Sequence, residues 1–379
     1  MSFGLYLHFP FCRNKCSYCD FYKELHDHRL EREFYHALRI ETEMAADDPS
    51  VQENEITTIF VGGGTPSLTS LDLFADWLSH LKRHIPIADK IEFTIECNPE
   101  TVTLENLQVL KELGVNRPVF GIQSFNTGLL KQLDRRHNPH HSHQAVYFAN
   151  VLDFRNFGVD LIFGLPGQTG KMLSADLDEL LSLQPPHVSF YQLTVEEGTP
   201  LAERVKAGRV VLPDQELCLG LYRGGSEMMA DEGYHRYEVS SFAREGHECR
   251  HNLGYWEGAD FLGLGPSAHS FIRGQRFANP SNLTEYSEAL KQGELPHVVD
   301  ESGDEERMTE AIMLGLRTAR GVNRARFSKR FGIPLSTRLD KRQLDALIES
   351  GHIIADDEGL RLSDDGVALA DEITRRLLK

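Results

Sequence analysis

No stretch of this 379-residue chain approaches the roughly 18 consecutive apolar residues that a membrane-spanning helix needs, so no stable span is expected. Basic residues are also scarce. Forty Lys and Arg stand against 57 Asp and Glu, a formal net charge of −17. A broad nucleic-acid or anionic-membrane surface requires a basic face, so neither partner is expected, although a local basic pocket is compatible with the balance. There are only six cysteines, and Cys97, Cys218 and Cys249 are too scattered to form a disulfide framework. The first eleven residues contain neither a basic segment nor a small-residue cleavage site, so no signal peptide is expected. The rest of the composition, 40% apolar and 26% charged, is that of a soluble globular protein long enough for one large domain and a smaller one.

Against that background one stretch stands out. Cys12, Cys16 and Cys19 fall within eight residues, directly after the apolar run Leu5–Phe11. Three thiols this close cannot all pair as disulfides, so a metal is the better use. Three thiolates hold a [4Fe–4S] cluster while leaving one iron open to a small-molecule ligand. A zinc site completed by His26 or His28 is the alternative. An oxygen-sensitive cluster and free thiols both point to a reducing compartment, the cytoplasm by default.

From residue 3 to about 195, short β-rich runs alternate with helical stretches. Strands are expected at Leu5–Phe9, Thr57–Val61, Ile91–Glu96, Val115–Gln123, Val159–Phe163 and Val188–Leu193, with helices between them. Six βα steps of about 30 residues predict a parallel sheet with helices outside, an open partial (β/α)6 TIM-like barrel with ligands at the carboxyl ends of the strands. Pro118 cannot donate to a ladder, so it belongs at the start of its strand. Residues 196–299 break the alternation and read as a barrel extension and cap, with strand-like Tyr234–Phe242, the block His251–Trp256, and Phe261–Phe271. The acidic segment Asp300–Glu306 marks a boundary. Residues 300–379 read as helices followed by a small hairpin, an α+β, winged-helix-like domain. Arg324, Arg326, Lys329 and Arg330 lie close together there, yet a packing module or lid fits this acidic chain better than a DNA-binding one.

The strand ends carry the candidate site. Gly62-Gly63-Gly64-Thr65-Pro66 follows the second strand, where glycines let backbone approach a ligand and expose N–H donors. Glu96 ends the third strand, and its carboxylate suits an ammonium or ribose hydroxyls. Gln123 ends the fourth. Arg135 and Arg136 follow, and an arginine over the pocket grips a carboxylate bidentately. Asp160 interrupts an apolar strand, and a buried acid needs a partner. His251, beside Tyr255 and Trp256, sets an imidazole against an aromatic slot. From the residues alone a structural hydrogen-bonding role for His251 and Asn252 is the better reading, and His137, His140, His141 and His143 form a further imidazole cluster.

Taken together, the Cys-x3-Cys-x2-Cys motif, Gly-Gly-Gly-Thr-Pro, Gly121-Ile122-Gln123-Ser124-Phe125 and Asp160-Leu161-Ile162-Phe163-Gly164-Leu165-Pro166 resemble the radical S-adenosylmethionine (SAM) superfamily, in its coproporphyrinogen dehydrogenase-like branch. Tyr18-Cys19-Asp20-Phe21 and His251-Asn252-Leu253-Gly254-Tyr255-Trp256 resemble the HemW-type haem chaperones. The resemblance covers nearly the whole chain. It implies that Cys12, Cys16 and Cys19 bind the cluster and that Tyr6, Tyr18, Gly63, Gly64, Thr65, Glu96, Gln123, Arg135 and Asp160 hold SAM. It implies haem as a further ligand, His251 as its candidate contact, and as partners an acceptor haem protein such as a respiratory one and an electron donor for the cluster. A homodimer stays open. Family chemistry, where it occurs, is one-electron reduction of the sulfonium to methionine and a 5′-deoxyadenosyl radical. The coproporphyrinogen dehydrogenases carry a further cysteine where this chain has Phe21, and an N-terminal extension ahead of the cluster. Both departures favour the haem carrier over oxidative decarboxylation of coproporphyrinogen III. Radical haem methylation with ring opening, and a non-catalytic zinc module, are the remaining alternatives.

Overall fold

Six βα steps set the frame. The computed structural model describes residues 3–294, 297–300 and 302–378. Strands β1 (Phe3–Phe9), β2 (Ile56–Gly63), β3 (Ile87–Cys97), β4 (Arg117–Gln123), β5 (Gly158–Phe163) and β6 (His187–Gln192) lie side by side in sequence order. All five neighbouring pairs are parallel. Between them run helices α1 (His28–Ala46), α2 (Leu71–His84), α3 (Leu104–Glu112), α4 (Pro139–Val151) and α5 (Gly170–Ser182). Parallel strands covered on both faces read as apolar runs, and β4 is buried at every position.

Pro118 is the second residue of β4, at the strand start as expected. The ladder is completed there by a side chain. Asn116 Oδ1 accepts from Phe93 N–H (2.9 Å) while its Nδ2 donates to the Ile91 carbonyl (2.8 Å), extending the β3–β4 pairing past the proline.

The sheet extends beyond the six strands on both sides. After helix α6 (Gln215–Asp231), β7 (His235–Glu238) and β8 (Ser241–Ala243) form an antiparallel hairpin on β6. The single strand expected over Tyr234–Phe242 is therefore two, folded about Val239–Ser240. The block His251–Trp256 lies in a helix, α7 (Arg250–Trp256). Then β9 (Phe261–Leu264) joins β1 in parallel, and β10 (His269–Ile272), β11 (Gln275–Ala278) and β12 (His297–Asp300) continue antiparallel. Gly265-Pro266-Ser267 breaks the run expected over Phe261–Phe271, with Gly265 and Ser267 at positive φ. Buried Glu41 on α1 fastens this flank: its carboxylate accepts from Gly265 N–H (2.8 Å), Asn279 Nδ2 (2.5 Å) and the Tyr286 hydroxyl (2.6 Å). The result is one twelve-stranded open sheet.

The C-terminal module has helices α8 (Asp304–Leu316), α9 (Arg324–Phe331), α10 (Lys341–Glu349) and α11 (Ala370–Leu377). They pack on a small sheet of β13 (Val322–Asn323), β14 (Ile353–Ala355) and β15 (Gly359–Leu362), the winged-helix-like arrangement expected. Its apolar residues join the barrel core in one cluster running from Phe3 to Leu377. Part of its basic surface pairs with the barrel flank. Arg326 and Arg320 both pair with Glu257 of the barrel flank, at 3.2 and 3.3 Å. No helix among the described residues is long and apolar enough to cross a membrane.

Candidate functional site

The carboxyl ends of β1 to β6 surround a cavity of about 140 Å³. Cys12, Cys16, Tyr18, Cys19, Gly63, Gly64, Thr65, Glu96, Gln123, Arg135 and Asp160 line it, with Asn98 and Tyr191. The cysteine loop is tied down at its base, because Phe11–Cys12 pairs in parallel with Glu24–Leu25. Further out, Lys23 Nζ donates to the Cys19 carbonyl (2.6 Å), and Leu201 N–H to the Ser17 carbonyl (2.9 Å).

Two of the thiols have donors directed at them. The Thr65 hydroxyl lies 3.4 Å from Cys12 Sγ, and Arg135 Nη1 lies 3.9 Å from Cys16 Sγ. Burial raises both thiol pKa values, and Thr65 and Arg135 respectively oppose the rise. Asn98 joins the two arms, donating to Thr65 Oγ1 (3.2 Å) and accepting from Arg135 Nη2 (2.8 Å). A negatively charged metal–thiolate centre fits this set of donors.

The zinc alternative lacks its fourth ligand here. Among the described residues no histidine lines the cavity, and His26 and His28 instead face Glu31, with His26 Nε2 3.0 Å from its carboxylate. Cys97 borders the cavity but alternates with Glu96 along β3, and its thiol donates to the Ile95 carbonyl at 3.7 Å.

The glycine turn differs from expectation. Its N–H groups do not stand free for a ligand: Gly64 and Thr65 donate to the carbonyls of Phe9 and Phe11 (2.7 and 2.8 Å), and Gly63 donates to Glu96. The glycines are there for close approach. A Cβ on Gly64 would lie 2.6 Å from the Phe11 carbonyl oxygen, and Gly63, at φ +103°, lies against the His8 ring.

Glu96 and Asp160 face each other across the cavity. Burial, then the nearby Asp160, push the Glu96 carboxyl up to about 8, while the Gly63 N–H opposes the shift. Burial pushes Asp160 up to about 6, against the Ser189 hydroxyl, Arg117 and Arg135. Such a pair suits a cationic or hydroxyl-bearing ligand. Gln123 sits at φ +67° in a three-residue turn closed by Ser124 N–H to the Ile122 carbonyl (2.8 Å). Asp176 on α5 locks that turn, accepting from Ser124 Oγ (2.6 Å) and Phe125 N–H (2.9 Å). Tyr191 of β6 donates to Gln123 Oε1 (3.0 Å).

Arg135 does not offer a free fork to a carboxylate. Its Nη2 is committed to Asn98 and the Gly121 carbonyl (2.7 Å), so it braces the cysteine loop against β4; Arg136 is exposed. Tyr6 bonds to His8 Nδ1 (3.1 Å) and lines a neighbouring, larger pocket. Asn98 and Tyr191 escaped the sequence reading. The polar–apolar alternation of His187-Val188-Ser189-Phe190-Tyr191, in register with Asp160 and Ile162, was the available signal for Tyr191.

That second pocket is about 630 Å³ and adjoins the first at Phe21, which lines both. Tyr255, Trp256, Phe261, Phe271, His269, Arg276, Arg307 and Arg330 also line it. His251 does not. It is 3% exposed, with Nδ1 bonded to Thr58 Oγ1 (2.8 Å) and Nε2 to the Tyr255 hydroxyl (2.7 Å). Burial lowers its pKa to about 3. With both nitrogens engaged, His251 is placed as a strut behind Tyr255 rather than as an iron ligand, the structural alternative of the two. Of the other imidazole cluster, His137 is buried against the Ile122 carbonyl (2.8 Å) and His143 pairs with Glu179 (2.6 Å), and none of the four lines either pocket.

Comparison with known proteins gives two family matches: the Radical SAM superfamily over residues 6–180 and the HemN C-terminal domain over 304–369. Among curated relatives, the haem chaperone HemW of Bacillus subtilis is 35% identical over 97% of both chains. That of Escherichia coli is 37% identical over 71% of this chain and 70% of its own. Among solved structures, coproporphyrinogen III oxidase (HemN) from Escherichia coli, described as a radical SAM enzyme, superposes with a TM-score of 0.85 at 21% identity, covering 99% of this chain and 89% of that one.

Proposed function

The chain belongs to the HemW haem-chaperone family of the radical SAM superfamily, and from that premise we propose that it binds haem beside a SAM-ligated [4Fe–4S] cluster and delivers the haem to acceptor haem proteins. The observation that carries the reading is the aromatic, arginine-lined pocket beside the three-cysteine cavity, with Phe21 between them. Cys12, Cys16 and Cys19 would hold the cluster, and its open iron would take the amino and carboxylate groups of SAM. When bound and reduced, such a cluster supplies one electron to a sulfonium. The chain's own residues do the rest. Thr65 and Arg135 stabilise thiolate charge, Gly63 and Gly64 bring the β2 turn against the cysteine loop, and Gln123, Tyr191, Glu96 and Asp160 supply polar contacts for the nucleoside and amino parts of the ligand. The free thiols suit a reducing compartment, the cytoplasm.

The test is anaerobic reconstitution of the cluster, followed by haem titration and coproporphyrinogen turnover on the same sample. A saturable haem spectrum without protoporphyrinogen formation is expected. Absence of saturable haem binding sinks the proposal, and turnover in its place establishes the oxidase reading.

The acid pair makes SAM binding pH-dependent. The ligand carries a fixed sulfonium charge, so it favours ionised Glu96. Free Glu96 is protonated below about pH 8. Binding below that pH therefore releases a proton, and affinity is expected to rise up to about tenfold per pH unit towards pH 8 and then level off. Glu96→Gln should flatten the profile. Calorimetry in buffers of differing ionisation enthalpy measures the released proton directly, and an unchanged profile in the variant would remove Glu96 from the role.

A further inference from the structure

In a chain of net charge −17, three arginines converge on the large pocket: Arg276 from β11, Arg307 from α8 and Arg330 from α9. Every acid on that wall except Asp20 is matched. Glu310 pairs with Arg276, and Glu257 with Arg320 and Arg326. Arg307 and Arg330 are different. Among the described residues neither has a carboxylate within ion-pair distance, and Arg307 Nε is buried without a hydrogen-bond partner. Both guanidiniums lie on barrel glycines. A Cβ built on Gly274 would lie 3.3 Å from Arg307 Nη1, and one on Gly258, two residues past Trp256, would lie 2.7 Å from Arg330 Nη1. The same pocket is lined by the aromatic side chains of Tyr255, Trp256, Phe261 and Phe271. Two cations without an ion pair, in a pocket lined by aromatic rings, suit a flat apolar molecule that carries two carboxylates on one edge.

We propose that Arg307 and Arg330 of the C-terminal module clamp the two propionates of haem, so that the cargo is held between the module and the barrel. This rests on the haem-carrier reading and names the residues that give it its selectivity. The aromatic side chains take the ring, and the two arginines take the carboxylates. The C-terminal module is then part of the cargo site, because barrel residues alone leave the propionate edge with only the already paired Arg276.

The test uses the full chain with its cluster reconstituted, titrated with ferric protoporphyrin IX and with its dimethyl ester, in which both carboxylates are masked. Wild-type protein is expected to prefer the free diacid at least tenfold, the range for loss of charge-assisted hydrogen bonds. Arg307→Gln/Arg330→Gln is expected to bind both porphyrins alike, near the wild-type affinity for the ester, with SAM binding unchanged as the check that the barrel is intact. Arg330→Gln alone keeps Arg307 and is expected to lose about threefold of the preference, an independent route should the double variant misfold. A double variant that binds SAM normally and retains the wild-type preference overturns the clamp while leaving the haem reading in place. Wild-type protein that binds neither porphyrin saturably overturns both.

Discussion

Alanine at Gly64 is expected to destabilise the protein by about 3 kcal/mol or more and to leave it unable to assemble a cluster. The added Cβ would meet the Phe11 backbone, 2.6 Å from its carbonyl oxygen and 2.9 Å from its nitrogen. Neither atom can swing aside as a side-chain tip does. The β2 turn must therefore back away from the strand that carries Cys12, breaking the bonds from Gly64 and Thr65 to the Phe9 and Phe11 carbonyls. Thr65 then no longer reaches Cys12. Denaturant midpoints and iron and sulfide per chain after anaerobic reconstitution measure the two effects. Gly170→Ala is the control: a Cβ there meets nothing within 4 Å, so this variant should match wild type or gain slightly in stability. If Gly64→Ala binds a full complement of iron, the close-approach account of the glycine turn is wrong.

Glu92→Ala is expected to cost about 3–5 kcal/mol and to abolish haem binding while sparing SAM binding. Helix α7 has no capping bond from its own Cys249 side chain; the cap comes from Glu92, which accepts from Arg250 N–H (3.0 Å) and His251 N–H (2.9 Å). Beneath it lies Arg117, 1% exposed, with Nε and Nη2 lacking hydrogen-bond partners and the negative field of Glu92 among the influences that sustain its charge. Removing the carboxylate takes away the larger of the two carboxylate fields on that buried guanidinium, leaving only that of Asp160. It also frees the start of α7, and with it the relay from Thr58 through His251 to Tyr255 at the pocket wall. Glu92→Gln keeps an acceptor without the charge and should fall between the two. A midpoint shift below about 1 kcal/mol for the alanine variant would show that Arg117 does not depend on Glu92.

Much of this was legible in the chain itself. The six βα steps followed from alternating apolar runs, and the cysteine spacing fixed which loop mattered, because both depend on residues close in sequence. The misreadings share one cause: they concern what a group already touches. The donors of the Gly62–Gly64 turn looked available until Phe9 and Phe11 were found opposite them. His251 looked like a ligand until Thr58, nearly two hundred residues earlier, occupied its second nitrogen. Arg135 looked like a clamp and proved a brace, because Asn98 and Gly121 had already taken its donors. The hairpin at β7 and β8 reads as one strand in the sequence because Val239 is β-branched and Ser240 is the weaker kind of turn former, with no Gly, Pro, Asn or Asp beside it.

The bend at Gln123 has a cost for anyone seeking a sturdier version of this molecule. A non-glycine residue in the left-handed region stores about 1–3 kcal/mol, held in place by Asp176. Screening for heat tolerance alone would reward glycine at that position, and each such winner would lack the amide that Tyr191 orients into the cavity. Here the needs of the fold and of the ligand conflict, and thermal selection would quietly trade the second for the first.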